Sequence, residues 1–226
     1  MAQDYSFDSV ATRSEQSVLA TNKVLRNTYA LLAMTLLFSA GTAAMAMTLN
    51  LPHPGLIISL VVMFGGLFAI QALRNSVWAL PVLFAWTGFL GMTLGPMLNM
   101  YLNMYSNGHE LIMMAMGGTG VTFIGLSGYV LTTRKDFSFM RGMLMAGMIV
   151  AVLAMIGLLF FPVPAASLAI SAVVVLLMSG FILYDTSNII HGYQTNYILA
   201  TVGLYLNIYN LFIHLLSLLS AFAGDD

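Results

Sequence analysis

From Thr28 onward the chain is a succession of apolar runs separated by breaks of only a few residues. A helix crosses the hydrocarbon core of a bilayer in about 20 residues. Seven such runs fit, at about 28–50, 55–73, 77–101, 110–131, 140–161, 165–186 and 197–222. The breaks carry stop signals: Pro52 and Pro54 flank His53, Asn75 and Ser76 follow Arg74, and Ser106-Asn107-Gly108-His109-Glu110 is polar. Thr132 to Asp136 carries charge, and Pro162-Val163-Pro164 is a helix stop. Backbone groups in lipid must bond within the chain, so a spanning segment is a helix or part of a closed barrel. A barrel would show alternating segments of about ten residues, a pattern these runs lack. The expected fold is therefore all-α, a polytopic membrane protein with seven transmembrane helices in one bundle.

Composition agrees. Only 7% of the 226 residues are charged, against about 25% in soluble domains. Seven basic and eight acidic residues leave a net charge of −1, which excludes the basic surface of a nucleic-acid binder. The absence of cysteine excludes disulfides, thiolate metal sites and cysteine nucleophiles.

Residues 1–27 form the one substantial polar stretch, with Asp4, Asp8, Arg13, Glu15, Lys23 and Arg26. Acidic residues come first and the apolar run that follows is too long for a cleaved secretory signal. The stretch reads as an exposed tail, amphipathic near Val18, Leu19, Val24 and Leu25. All seven basic residues (Arg13, Lys23, Arg26, Arg74, Arg134, Lys135 and Arg141) fall on one side of the membrane if seven spans are threaded in order. The positive-inside rule makes that side cytoplasmic, with the N-terminus. Seven full spans then put Asp225 and Asp226 outside, and a re-entrant last segment would return them to the cytoplasm. The organisation expected is a cytoplasmic tail over 1–27, a transmembrane domain over 28–222 and a short C-terminal tail over 223–226.

Within the spans, Met, Leu, Val and Ile need no explanation beyond lipid contact and packing, although 18 methionines also permit a Met-rich groove. Gly88, Gly91 and Gly95, and the run Gly117-Gly118-Thr119-Gly120, read as places where helices approach closely. Asp185 is the one acidic residue inside a span. A carboxylate at mid-bilayer costs about 2.5–3.5 kcal/mol, less toward the interface. It either faces the bundle interior with a partner or caps the helix end at the interface. In the last span Gly203, Asn207, Asn210, His214 and Ser217 recur at steps of four and three, on a single helical stripe. That stripe serves equally as a conduction path or as polar packing between helices. Arg74 ends the second span on the side of Asp185, either as its ion-pair partner in a pH-dependent latch or as a snorkelling anchor.

Chemistry of other kinds has little support. Gly125-Leu126-Ser127-Gly128 matches the Gly-x-Ser-Gly of intramembrane serine proteases, but a serine nucleophile needs a histidine base, and only His191 and His214 are candidates. The four histidines, at 53, 109, 191 and 214, lack helical spacing to one another or to a carboxylate, apart from adjacent His109-Glu110. No catalytic residue, metal site or cofactor is expected.

Longer motifs are familiar. Tyr184-Asp185-Thr186-Ser187-Asn188-Ile189-Ile190-His191-Gly192, followed by Leu204-Tyr205-Leu206-Asn207-Ile208-Tyr209-Asn210-Leu211-Phe212, resembles the signature of the Bax inhibitor-1 family. Residues 21–29, Thr87-Gly88-Phe89-Leu90-Gly91, Leu94-Gly95-Pro96, 129–136 and 142–147 resemble its bacterial YccA branch, so the likeness runs from about 21 to 222. It implies a multi-pass protein of the bacterial inner membrane that is not an enzyme. The implied role is to bind the membrane AAA+ protease FtsH through the cytoplasmic tail and restrain its action on other membrane proteins. Other members of the family are pH-sensitive calcium leak channels, which makes Ca2+ a second possible ligand. By that resemblance Asp185 matches the first of two sensor aspartates and Arg74 the latch, while Asn207 stands where channel members have the second aspartate. Two close carboxylates share a proton and titrate as a pair, and an Asp–Asn pair cannot. Protease modulation is thus the leading expectation, with a cation leak gated at Asp185 as the alternative.

Overall fold

The computed structural model describes residues 4–223, with side chains from Leu19 to Phe222. Among them are seven α-helices: α1 (Asp4–Thr48), α2 (Leu56–Leu73), α3 (Ala79–Met104), α4 (Gly108–Thr133), α5 (Arg141–Phe160), α6 (Pro164–Ile190) and α7 (Tyr197–Ala223). A 3₁₀ turn, Ser138–Met140, precedes α5. Each of the seven is long and apolar enough to cross a membrane, as the hydropathy pattern requires. Helix boundaries follow local chemistry. Pro164 opens α6 at a position where its missing N–H costs nothing. Gly192, at φ +74°, supplies the left-handed residue that turns the chain out of α6. The Asn196 side chain accepts the backbone N–H of Ile198 at 3.0 Å and of Leu199 at 3.1 Å, capping α7.

The first helix departs from expectation. It begins at Asp4, so most of the stretch read as a tail is continuous with the first span, and the apolar part runs from Leu19 to Thr48. The side chains of residues 1–18 lie outside the described residues.

Helix α7 is central, packing against α1, α3, α4 and α6. Around it Leu31, Leu32, Leu83, Trp86, Leu90, Leu204 and Tyr205 form the main buried cluster. A second cluster joins α5, α6 and α7 through Ala151, Val174, Met178, Ile182 and Leu211. Helix α2 packs chiefly on α3 and α5 chiefly on α6, and both are among the most apolar of the seven. A helix with lipid on most sides must be apolar all round, whereas a helix surrounded by protein can carry polar groups.

The α1–α3 contact is close because of Gly88, Gly91 and Gly95. A Cβ at Gly88 would meet the Phe38 ring at 2.6 Å, one at Gly91 the backbone of Ser39, and one at Gly95 the Ala46 Cβ at 2.5 Å. The other glycine run behaves differently. Gly117 and Gly120 face open space, and Gly118 has only Leu215 at 3.6 Å, so that run brings no helix close.

Three connections meet at one end of the bundle, which also carries Arg74, Arg134, Lys135 and Arg141. Asn196 Nδ2 donates to the Arg74 carbonyl at 3.0 Å and to Asn75 Oδ1 at 3.2 Å, tying the α2–α3 and α6–α7 connections. His191 Nε2 lies 3.1 Å from the Arg134 carbonyl, tying α6 to the end of α4. This basic end is where the candidate site lies.

Candidate functional site

The last turns of α6 carry Asp185, Thr186, Ser187 and Asn188 in succession. Consecutive helical residues point about 100° apart, so four adjacent polar side chains address four directions. Each finds a partner on a different element or faces a cavity.

Asp185 faces α7. Its Oδ2 accepts a 2.7 Å hydrogen bond from Asn207 Nδ2. Asn207 is buried and Asp185 partly so. Gly203, one turn earlier on α7, makes room: a Cβ there would sit 3.0 Å from Asp185 Oδ2. A cavity of about 40 Å³ adjoins the carboxylate, lined also by Asn188, Gln194, Leu199 and Gly203. One water needs about 10–15 Å³ measured this way, and several polar partners, so the cavity can hydrate the carboxylate.

Thr186 points the other way, into a buried hydroxyl cluster. Its Oγ1 lies 3.0 Å from Ser127 Oγ, which is 2.8 Å from the Tyr29 hydroxyl. The cluster joins α6, α4 and α1. Ser127, the serine of the Gly-x-Ser-Gly match, therefore bonds two hydroxyls rather than a histidine. Ser187 accepts the Phe137 N–H at 2.9 Å and holds the α4–α5 connection against α6. Beside it Asp136 accepts the Ser138 N–H at 2.8 Å and the Tyr193 hydroxyl at 3.2 Å. The Ser138 backbone N–H, foremost among these bonds, holds the Asp136 carboxyl below its ordinary range. The same carboxylate pushes the Tyr193 phenol up by holding its proton.

The polar stripe of α7 is only partly assembled into one feature. Asn207 reaches Asp185, and His214 Nδ1 lies 3.1 Å from Ser171 Oγ near the start of α6. Between these contacts sit Val174, Met178, Ile182 and Leu211, all buried and apolar. Asn210 instead donates to its own helix, to the Leu206 carbonyl at 2.8 Å. Ser217 is half-buried, and its carbonyl accepts the Ser220 hydroxyl at 2.8 Å. The stripe is thus two polar contacts to α6 separated by an apolar layer.

Arg74 is not joined to Asp185 here. It is exposed at the end of α2, which packs chiefly on α3. Among the described residues, the side chain that bonds the Asp185 carboxylate is that of Asn207. Arg74 contributes its carbonyl to Asn196 instead.

Tyr29 and Asn196 escaped the reading of the sequence as site residues, and Ser127 entered it only as the serine of the Gly-x-Ser-Gly match. Only Asn196 carried a local signal, an Asn just before an apolar run.

Comparison with known proteins adds to this geometry. A family model described as "Inhibitor of apoptosis-promoting Bax1" matches residues 21–224. The chain is 52% identical over 216 residues to "Modulator of FtsH protease YccA" of Escherichia coli K12, covering 96% of this chain and 97% of that protein. It has the same likeness to "Inner membrane protein YccA" of Escherichia coli O6:H1. It is also 47% identical to an uncharacterized protein of Pseudomonas aeruginosa, over 99% of both chains.

Proposed function

The chain belongs to the Bax inhibitor family, a multi-pass protein of the inner membrane, and from that premise we propose that it modulates an FtsH-like membrane AAA+ protease. It binds the protease and restrains degradation of other membrane proteins. One observation carries this reading: 52% identity, over nearly the whole of both chains, to a relative named for that role. The proposed mechanism is occupancy. With the N-terminus in the cytoplasm, as the basic residues favour, the tail over 1–27 is offered to the protease. Force applied there passes directly into α1, whose Thr28, Leu31, Leu32 and Thr35 are buried against the bundle. Extraction would have to strip α1 from α3, α6 and α7 together, so the protease is engaged without progress. Removal of residues 1–20 tests this. Co-purification of the protease from native membranes and protection of its other substrates should both be lost, with the bundle still folded. A shortened chain that protects as well as the full one would overturn the mechanism.

A second reading, a pH-sensitive cation leak gated at Asp185, is favoured by the carboxylate's bond to Asn207 beside a hydratable cavity. The apolar layer of Val174, Met178, Ile182 and Leu211 would then close the path. Opening would need that layer to part, and a latch role for Arg74 would need α2 to move. Asp185→Asn should alter Ca2+ flux into liposomes and its dependence on pH between 6 and 8. Flux no greater than in protein-free liposomes would eliminate this reading.

A further inference from the structure

A pull on the N-terminal stretch runs straight into α1, a single helix from Asp4 to Thr48. Close to where that helix enters the bundle it meets the hydroxyls of Tyr29, Ser127 and Thr186. We propose that these three side chains form a register lock on α1, which decides that the chain holds a membrane AAA+ protease rather than being extracted and degraded by it. The inference rests on the protease reading above and names the side chains that set its outcome.

Three features single the cluster out. The first is that it closes on itself. The Tyr29 hydroxyl lies 2.8 Å from Ser127 Oγ, Ser127 Oγ lies 3.0 Å from Thr186 Oγ1, and Thr186 Oγ1 lies 3.4 Å from the Tyr29 hydroxyl. Each hydroxyl donates once and can also accept, so the three complete a ring of hydrogen bonds. Ser127 and Thr186 are buried, where a polar group that loses its partner is costly.

The second is the set of helices it joins. Helix α1 packs mainly on α3, α6 and α7. Between Leu36 and Met47 an apolar cleft separates it from α4. Just before that cleft, the Tyr29 ring packs on Phe123 of α4 at 6.0 Å, and its hydroxyl ties α1 to α4 through Ser127 and to α6 through Thr186. Withdrawal of α1 therefore loads a helix that it otherwise barely touches.

The third is position and direction. Ser127 lies about two turns from Arg134 at the end of α4, so the cluster is near the basic end, ahead of the deeper tethers of α1. Ser39 Oγ meets the Tyr205 hydroxyl at 2.7 Å about 15 Å further along the helix, and the Met47 carbonyl accepts from Asn99 at 3.0 Å beyond that. The Thr28 carbonyl is a lesser tether, because Thr201 Oγ1 reaches it at 3.3 Å but gives a 2.8 Å bond to Tyr197 of its own helix. Apolar side chains keep contact when one helix slides on another. A lateral hydrogen bond does not: drawing α1 out by two residues moves it about 3 Å, which stretches a 2.8 Å bond to about 4 Å, past its useful range.

Tyr29→Phe removes one oxygen, keeps the ring against Phe123 and leaves Ser127 bonded to Thr186, so the bundle should still fold. The full chain, reconstituted in a supported bilayer, is pulled by its N-terminus in an atomic force microscope. A rupture is expected once the residues ahead of Tyr29 are stretched, at about 90–100 Å. Its force should fall at least twofold in Tyr29→Phe and in Ser127→Ala, with no further drop in the double variant. Pulling by the C-terminus is the control: the first rupture there should be the same in parent and variants, which a general loss of stability would not give. In proteoliposomes with FtsH, Tyr29→Phe should itself be degraded several-fold faster than the parent. An unchanged N-terminal rupture force, or a reduced force with degradation no faster than the parent's, would overturn the inference. A protease that never engages the parent, with the N-terminal rupture still weakened in Tyr29→Phe, would refute the protease reading and leave the mechanical lock standing.

Discussion

Asp185 is tolerable inside a membrane bundle because Asn207 donates to it and Gly203 leaves it space. Hydrogen bonds to a charged group contribute about 1.5–3 kcal/mol, so Asn207→Leu should destabilise the detergent-solubilised protein by roughly that amount. The exchange Asp185→Asn with Asn207→Asp keeps one amide donor and one carboxylate, and thermal unfolding should show most of the loss recovered. Unchanged stability in Asn207→Leu would mean that the bond does not hold the helices together. Asp136 gives a second prediction, outside the spans. Its carboxyl is held below the ordinary value, near 3.9 in peptides. Its stabilising effect is therefore complete above that value and lost as pH falls through the lower folded one. Hydrogen exchange at the Ser138 amide should stay protected through neutral pH and open only in strong acid. Asp136→Asn should remove that acid transition and bring the Tyr193 phenol back down toward 10 in an ultraviolet titration. An acid transition that persists in the variant would assign it to another group. Asp185 and Asn207 were legible because a carboxylate in an apolar run and a period of three to four stand out in one dimension. The cluster of Tyr29, Ser127 and Thr186 did not stand out: the first two are 98 residues apart, and Ser127 drew notice only through its Gly-x-Ser-Gly match.

At the level of elements, hydropathy and proline were enough to place the seven helices, since lipid leaves few alternatives. What they could not convey is which helix is surrounded by protein. Helix α7 is, and its amphipathic stripe was the visible trace; α1 packs on α3, α6 and α7 along one face and exposes the other, and its polar first residues hid how far its helix extends. Glycine was the ambiguous residue. The same composition gives a close α1–α3 contact at Gly91 and an open wall at Gly117, because closeness depends on what faces the glycine. Gly91→Ala should therefore destabilise by about 1–3 kcal/mol through overpacking against backbone that cannot yield. Gly117→Ala should be neutral or add about 0.5–1 kcal/mol through helix propensity. Parallel thermal unfolding of the two variants checks the contrast, and equal effects would contradict the assigned packing.

For the whole molecule, polar tethers gather at the basic end, where the α6–α7 corner binds every neighbouring connection, while the opposite half opens between α1 and α4. A tail continuous with α1, which packs on α3, α6 and α7, is a poor starting point for extraction, the physical basis proposed for restraining a protease. The most direct measurement places purified FtsH in proteoliposomes with a model membrane substrate and titrates in the full chain. The account predicts a several-fold longer substrate half-life that rises with the amount of chain added and disappears when residues 1–20 are removed. A substrate half-life unchanged at saturating chain would contradict it.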